Sequence, residues 1–259
     1  MSRLAGRVCV VNGAASEIGQ AVAGRFASEG GVVVGVDKAG HAVGDHVVQA
    51  DLVDEAQVEA MYEQVVRRYG RLDVIYNNMG LMDRGDRSAL DTSLETWRRV
   101  QDANLTSIFL SCKHGIRHLR NTDPVGGSVI NAASFLAETG AATAQMAYAA
   151  AKAGVVQLSR DLGVHLARND VRVNAVLFGP IDSPHQRAVF DRNRVRWRSD
   201  WCTGRWGGSA PWRKHRRRSL SSRATIRGSS LPPHCLSTVA SPKRSPCRNI
   251  IWLLQYKLR

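Results

Sequence analysis

Arg7-Val8-Cys9-Val10-Val11-Asn12-Gly13-Ala14-Ala15-Ser16-Glu17-Ile18-Gly19 decides how this chain folds. Val8 to Val11 is a short apolar run closed by a turn, the pattern of a strand buried on both faces of a parallel sheet. Gly13 and Gly19 bracket a turn. Small and apolar residues from Gln20 to Glu29 continue on one side of a helix. Strand, glycine turn and helix in that order bring free backbone N–H groups and the positive end of a helix dipole to one point. A dinucleotide pyrophosphate can approach closely there. Taken alone, the glycines fit an ordinary βα turn equally well, so the weight rests on the remainder of the chain.

The pattern repeats along the chain. Strands are predicted at Val32–Val36, Val47–Gln49, Val74–Tyr76, Ser128–Asn131 and Val171–Leu177. Helices are predicted over Glu55–Tyr69, over most of Leu94–Arg120 and over Ala147–Arg168. Strands alternating with helices imply right-handed crossovers and an α/β doubly wound parallel sheet, covered on both faces. Ligands of such sheets bind in the crevice at the carboxyl ends of the strands. Gly13, Asp37, Asp51, Asn78 and Ser134 all fall at or just past such ends. Asp37, closing the second strand, can accept hydrogen bonds from ribose hydroxyls and would repel a 2′-phosphate, which favours NAD over NADP.

Met146-Ala147-Tyr148-Ala149-Ala150-Ala151-Lys152 carries the chemistry. Residues four apart share a helix face, so the Lys152 ammonium can sit beside the Tyr148 phenol. An unperturbed phenol titrates near pH ~10. A neighbouring cation lowers that value and makes a tyrosine usable as a general acid/base.

With these residues in hand, the chain resembles the classical short-chain dehydrogenase/reductase family, whose fold is Rossmann-like. The matching motifs run in order: Asn12–Gly19, Asp37, Asp51-Leu52, Asn77-Asn78-Met79-Gly80, Asn104, Ser134, Tyr148, Lys152 and Phe178-Gly179-Pro180-Ile181. They cover about residues 5–190, and together they are specific because independent short motifs fall in the right order. The resemblance implies that Tyr148 is the catalytic acid/base and that Lys152 holds the nicotinamide ribose and depresses the phenol. Ser134 would bond the substrate oxygen, and Asn104 would hold a water in a proton relay. Asn12, Gly13, Ile18 and Gly19 would form the pyrophosphate turn, with Asp37 at the ribose and Asp51 and Leu52 at the adenine. Asn78 would support the cofactor through its backbone, and Ile181 would touch the carboxamide side of the nicotinamide. The implied activity is hydride transfer between NAD and a secondary alcohol or ketone, most like reduction of 3-oxoacyl thioesters. Homodimers through the two long helices are also implied.

Four positions depart from the family pattern. Asn12 stands where the family usually has Thr. Glu17 stands where it has glycine, and places a carboxylate near the pyrophosphate. Met79 replaces Ala. Ser134 and Tyr148 are fourteen residues apart, one more than the family spacing.

Composition divides the chain. Residues 191–259 hold 17 Lys and Arg against 2 Asp and Glu, while residues 1–190 hold 19 against 20. Five of the six Trp, three of the five Cys and five of the eight Pro also lie after residue 190. The expected division is therefore a catalytic domain over 1–190 and a basic, irregular tail over 191–259. After Phe190 the family pattern stops, and its seventh strand and substrate lid have no counterpart. Joining the last base of each codon from Ser219 to Pro242 with the first two of the next can give Ala-Phe-Leu-Ala-Ser-Asp-Asp-Ser-Gly-Phe-Ile-Thr-Ala-Ser-Thr-Leu-Leu-Val-Asp-Gly-Gly-Ile-Thr. That is a family-like ending, and it points to a slipped reading frame between about Asp191 and Trp197. The alternative reading is a catalytically impaired or inactive remnant of the family, because the C-terminal strand and substrate lid are lost.

The competing reading, a nucleic-acid-binding tail built on Arg213–Arg218, accounts for the charge and not for the Trp and Cys. No apolar run reaches the ~18 residues of a membrane span. The N-terminal residues lack a signal peptide's apolar stretch. The odd, scattered cysteines fit neither a disulfide framework nor a metal site. The expectation is a cytoplasmic enzyme.

Overall fold

The computed structural model describes residues 2–40, 42–123, 125–141, 144–179 and 181. The expectations for residues 191–259 (tail, missing seventh strand and slipped frame) lie outside the described residues.

Among the described residues, six parallel strands form one sheet in the order β3-β2-β1-β4-β5-β6. They are β1 (Val8–Asn12), β2 (Val32–Asp37), β3 (His46–Gln49), β4 (Val74–Asn77), β5 (Gly127–Ser134) and β6 (Val171–Phe178). The helices are α1 (Glu17–Ser28), α2 (Glu55–Tyr69), α3 (Leu94–Gln101), α4 (Ser107–Asn121) and α5 (Met146–His165). The strand order reverses between β1 and β4, which sets the crevice of a doubly wound sheet at that junction. The central strands are buried throughout: Val10, Val11, Val34, Val36 and Ile75 have no exposed surface. Their β-branched side chains suit a pleated surface covered on both sides.

Local chemistry fixes the helix ends. Ser16, Asp54 and Ser93 cap α1, α2 and α3 by accepting backbone N–H bonds. Each such cap contributes about 0.5–2 kcal/mol. Gly70 ends α2 with φ +70°, a left-handed conformation that favours glycine. The Ser16 cap starts α1 at Glu17, three residues before the predicted start, because Ser16 Oγ already accepts from Gly19 N at 3.1 Å.

The helix predicted over Leu94–Arg120 is two helices joined by a π turn, Asp102–Thr106. A π turn widens the helix and releases carbonyls from their ordinary partners. Here the Val100 carbonyl accepts from the side chain of Asn104 at 2.8 Å. β5 runs to Ser134, three residues beyond the prediction, because it pairs with β6 over its whole length. The helix predicted to reach Arg168 ends at His165, and a short 3-10 turn, Ala167–Asn169, comes after it.

Candidate active site

The glycine turn lies at the β1/β4 junction. Gly13 has φ +77°, and a Cβ there would lie 2.5 Å from the Asn78 carbonyl oxygen. A Cβ on Gly19 would strike the Gly13 carbonyl and lie 2.9 Å from Ala14 Cα. Both obstacles are backbone, so neither position accepts a side chain without opening the turn. Asn78 N donates to Asn12 O at 3.0 Å, and Asn78 Nδ2 donates to Ser16 Oγ at 2.7 Å. Asn78 thus locks the turn after β4 onto the turn after β1. Ile18 packs partly buried against Val11, Ala14 and Ala23. Glu17 is exposed at the first residue of α1.

The Asn12 carbonyl accepts from Asn78 N at the turn, while its side chain is held inside the fold. It is fully buried beneath the sheet's carboxyl end. Its Nδ2 lies 2.8 Å from Asn77 Oδ1, 3.0 Å from Ser111 Oγ and 3.1 Å from Tyr62 Oη. Asn77 Nδ2 continues to Asn131 Oδ1 at 2.8 Å, and Asn131 Nδ2 to Ser159 Oγ at 2.9 Å. This network ties the ends of β1, β4 and β5 to α2, α4 and α5.

Asp37 Oδ2 accepts from Ala15 N and Oδ1 from Ala39 N, each at 3.0 Å. Asp51 Oδ2 pairs with Lys38 Nζ at 2.6 Å, and Leu52 is buried beside it. Lys38, Asp51, Val53, Leu81, Leu94 and Arg98 line part of an open cavity of about 780 Å³ beside these residues. That volume lies within the ~300–1,000 Å³ usual for small-ligand sites. Ile181 lies three residues past the end of β6 and is partly buried.

At the other end of the crevice, Ser134 closes β5 and Tyr148 stands in the first turn of α5. The Ser134 hydroxyl lies near enough to the Tyr148 phenol to favour its ionised form. Lys152, one turn on, is only 2% exposed. Its Nζ donates to Met79 O at 2.7 Å and to Ala132 O at 3.0 Å, and lies 5.7 Å from the Tyr148 ring centroid. Burial pushes the Lys152 ammonium down to about 7. The Tyr148 phenol moves up rather than down, because its burial outweighs the influence of Ser134. The depression expected from Lys152 is therefore not present: the ammonium faces carbonyls, and desolvation dominates the phenol.

Asn104 is fully buried in the π turn. Its Nδ2 donates to Leu81 O at 2.9 Å as well as to Val100 O, and its Oδ1 accepts from Leu81 N at 3.1 Å. With both amide protons committed to carbonyls, its side chain cannot donate to a relay water. The side chain braces the loop after β4. Met79 packs its side chain into the core, so its greater size falls there, while its carbonyl serves Lys152.

The sequence reading missed Asp86, a buried carboxylate whose two oxygens accept from Ala147 N at 2.9 Å and Tyr148 N at 2.8 Å. No local signal could have found it, because cap and helix are 61 residues apart.

The residues present fit a dinucleotide. Gly13 and Gly19 keep the turn tight, a carboxylate ends β2, and an ammonium with two of its three protons committed lies beside Tyr148. Among the described residues no cluster of His, Cys, Asp or Glu is placed to hold a metal. No described helix is long and apolar enough to cross a membrane.

Fold and site together define an oxidoreductase of the dinucleotide-binding α/β class. A family model described as enoyl-(acyl carrier protein) reductase matches residues 13–211. That range ends beyond the limit of about residue 190 to which the motifs could be traced. Cis-4-hydroxycyclohexanecarboxylate dehydrogenase of Sinomonas cyclohexanicum is 37% identical over 190 residues, 69% of this chain and 74% of that protein. The 3-oxoacyl-[acyl-carrier-protein] reductase of Thermotoga maritima is 32% identical over 222 residues, 79% and 86% of the two chains. The crystal structure of 3-ketoacyl-(acyl-carrier-protein) reductase from Brucella melitensis, complexed with NADH, superposes with a TM-score of 0.66. It is 27% identical and covers 71% of this chain and 79% of its own. The chain belongs to the classical short-chain dehydrogenase/reductase family, and the NADH-bound neighbour supports a nicotinamide cofactor.

Proposed function

We propose that the chain reduces a ketone, or oxidises the corresponding secondary alcohol, with NAD as the preferred cofactor. The convergence of Tyr148, Ser134 and Lys152 at the carboxyl ends of β4 and β5 carries this reading. The nicotinamide supplies the hydride. Tyr148 donates the proton to the substrate oxygen in reduction and accepts it in oxidation. Ser134 orients that oxygen by a hydrogen bond. Lys152, anchored on Met79 O and Ala132 O, directs its remaining proton to the nicotinamide ribose. Asn78 and Gly13 keep the pyrophosphate turn open, with Gly19 and Ile18 at the start of α1. Asp51 and Leu52 would border the adenine, and Ile181 the carboxamide side. Two relatives act on a hydroxycyclohexane carboxylate and a 3-oxoacyl thioester. Both are secondary alcohol/ketone pairs, so acetoacetyl-CoA and 4-hydroxycyclohexanecarboxylate are suitable first substrates. Cofactor-dependent absorbance change with neither, nor with other simple ketones, would remove the reading.

Asp37 supports NAD over NADP. Its carboxylate is fixed by two backbone N–H groups, and the neighbouring Lys38 ammonium is drawn away to Asp51. Glu17 weakens either cofactor by placing a charge near the pyrophosphate. Glu17→Gly is expected to tighten NAD binding roughly fivefold at low salt, from about 1 kcal/mol between exposed charges a few Å apart. The gain should shrink as salt screens it. Fluorescence titration giving tighter NADPH than NADH, or no gain in the variant, contradicts this.

The described cysteines, Cys9 and Cys112, are free and buried, which supports a reducing, cytoplasmic setting. α4 and α5 expose Phe109 and Val164, which supports a homodimer through these helices. The codon pattern after residue 190 supports a slipped frame that replaces the seventh strand. Light scattering of the full chain should then give a dimer, since the family's second interface uses that strand. A stable tetramer, or genomic DNA with no alternative frame ending in Val-Asp-Gly-Gly, rules the slip out.

A further inference from the structure

We propose that Asp86, on the loop between β4 and α3, is a positioning residue that sets the catalytic turn of α5; this rests on Tyr148 as the proton donor. The first turn of a helix has N–H groups without intrahelical partners, and it frays unless they are capped. Such a cap ordinarily comes from the residue that begins the helix. In α5 it comes from Asp86, whose two carboxylate oxygens take Ala147 N at 2.9 Å and Tyr148 N at 2.8 Å. Asp86 is only 3% exposed, and a negative charge there also faces the positive end of the helix dipole.

A second bond clamps the same residue from the other side. Gln101 Nε2, at the end of α3, donates to the Ala147 carbonyl at 2.8 Å. The residue before Tyr148 is thus held at its N–H by one element and at its C=O by another.

Asp86 is itself fixed. Its N–H donates to Asp83 O at 3.1 Å. The Asp83 carboxylate accepts from Gly85 N at 2.8 Å and from Arg99 Nε and Nη2 at 2.9 and 2.7 Å. The loop is therefore a tied support, anchored on α3. Met79, which begins it, holds Lys152 through its carbonyl. One loop consequently fixes α5 at two heights, at the Tyr148 amide and at the Lys152 ammonium one turn later. This matters because a misplacement of about 1 Å at a reacting group costs on the order of 10²-fold in rate.

The test is Asp86→Asn in the full chain, beside wild type and Tyr148→Phe. Asparagine keeps the shape but offers one acceptor, and its Nδ2 would face a backbone N–H. Hydrogen exchange at the Ala147 and Tyr148 amides is expected to accelerate by about tenfold or more, as for loss of a bond to a charged acceptor. The kcat with acetoacetyl-CoA should fall by a similar factor, with KM for NADH nearly unchanged. Wild-type exchange at both amides overturns the proposal, as does an equal loss of kcat and NADH affinity. If Asp86→Asn fails to fold, Gln101→Met removes the other half of the clamp and is read by the same exchange experiment. If Tyr148→Phe keeps full turnover, the assignment of Tyr148 fails, while exchange still reports on the clamp.

Discussion

Tyr148→Phe should lower turnover by about 10²–10⁴-fold, the usual contribution of a general acid/base, with cofactor affinity nearly intact. The substitution removes one oxygen and leaves the ring. The anchors of the helix turn do not involve that oxygen: Tyr148 N stays on Asp86 and Lys152 Nζ stays on Met79 O and Ala132 O. The proton donor disappears, while Ser134 stays at the end of β5. Burial holds the phenol above its ordinary value, so Tyr148 is protonated at neutral pH and ready to donate, the form that ketone reduction requires. Steady-state rates with acetoacetyl-CoA and NADH decide the matter, and comparable turnover in variant and wild type would sink the assignment.

Lys152→Met should reduce turnover on the order of 10²-fold, the scale seen when a preorganised donor is removed. It should also change how stability depends on pH. Lys152 titrates near 7 in the folded chain against an ordinary value of 10.5. Between those values the unfolded chain binds a proton that the folded chain does not. This residue therefore adds stability as pH rises from about 7, and the gain is lost as pH falls back through 7. Buried Cys9, Cys112, Tyr62 and Tyr76, all pushed upward by burial, act in the opposite direction at higher pH. The useful quantity is the difference between wild type and variant. Thermal melts from pH 7 to 9 should show wild type gaining on Lys152→Met. Parallel curves would mean that the ammonium is not desolvated as its 2% exposure implies.

Much of the site was readable residue by residue because its signals are local. Gly13 and Gly19 are required by a turn whose geometry a few neighbouring residues determine. Asp37, Asn78 and Ser134 were located by ends of apolar runs, and the structure places them at the ends of β2, β4 and β5. Tyr148 and Lys152 share a helix face by their spacing alone. The environment of the Asn12 side chain is not legible in the sequence, because its partners Tyr62, Asn77 and Ser111 lie 50 or more residues away. Asn104 was read as a member of a continuous helix. The π turn that holds its side chain on Leu81 and Val100 depends on the fit of α3 and α4 against the loop after β4, which no local pattern reports.

The sequence by itself determined the alternation of strands and helices, the glycine turn and the spacing of Tyr148 and Lys152, because each arises from interactions within a few residues. Only the tertiary structure decided the environment of those groups. The Lys152 ammonium is directed at Met79 O and Ala132 O, and Tyr148 is raised by burial rather than lowered by its neighbour. Asp86 reaches α5 across 61 residues, and the Asn12–Asn77–Asn131 network binds three strand ends together. Desolvation and long-range hydrogen bonds depend on which segments meet in space, and that information resides in the packing of the sheet and its helices rather than in any one stretch of chain.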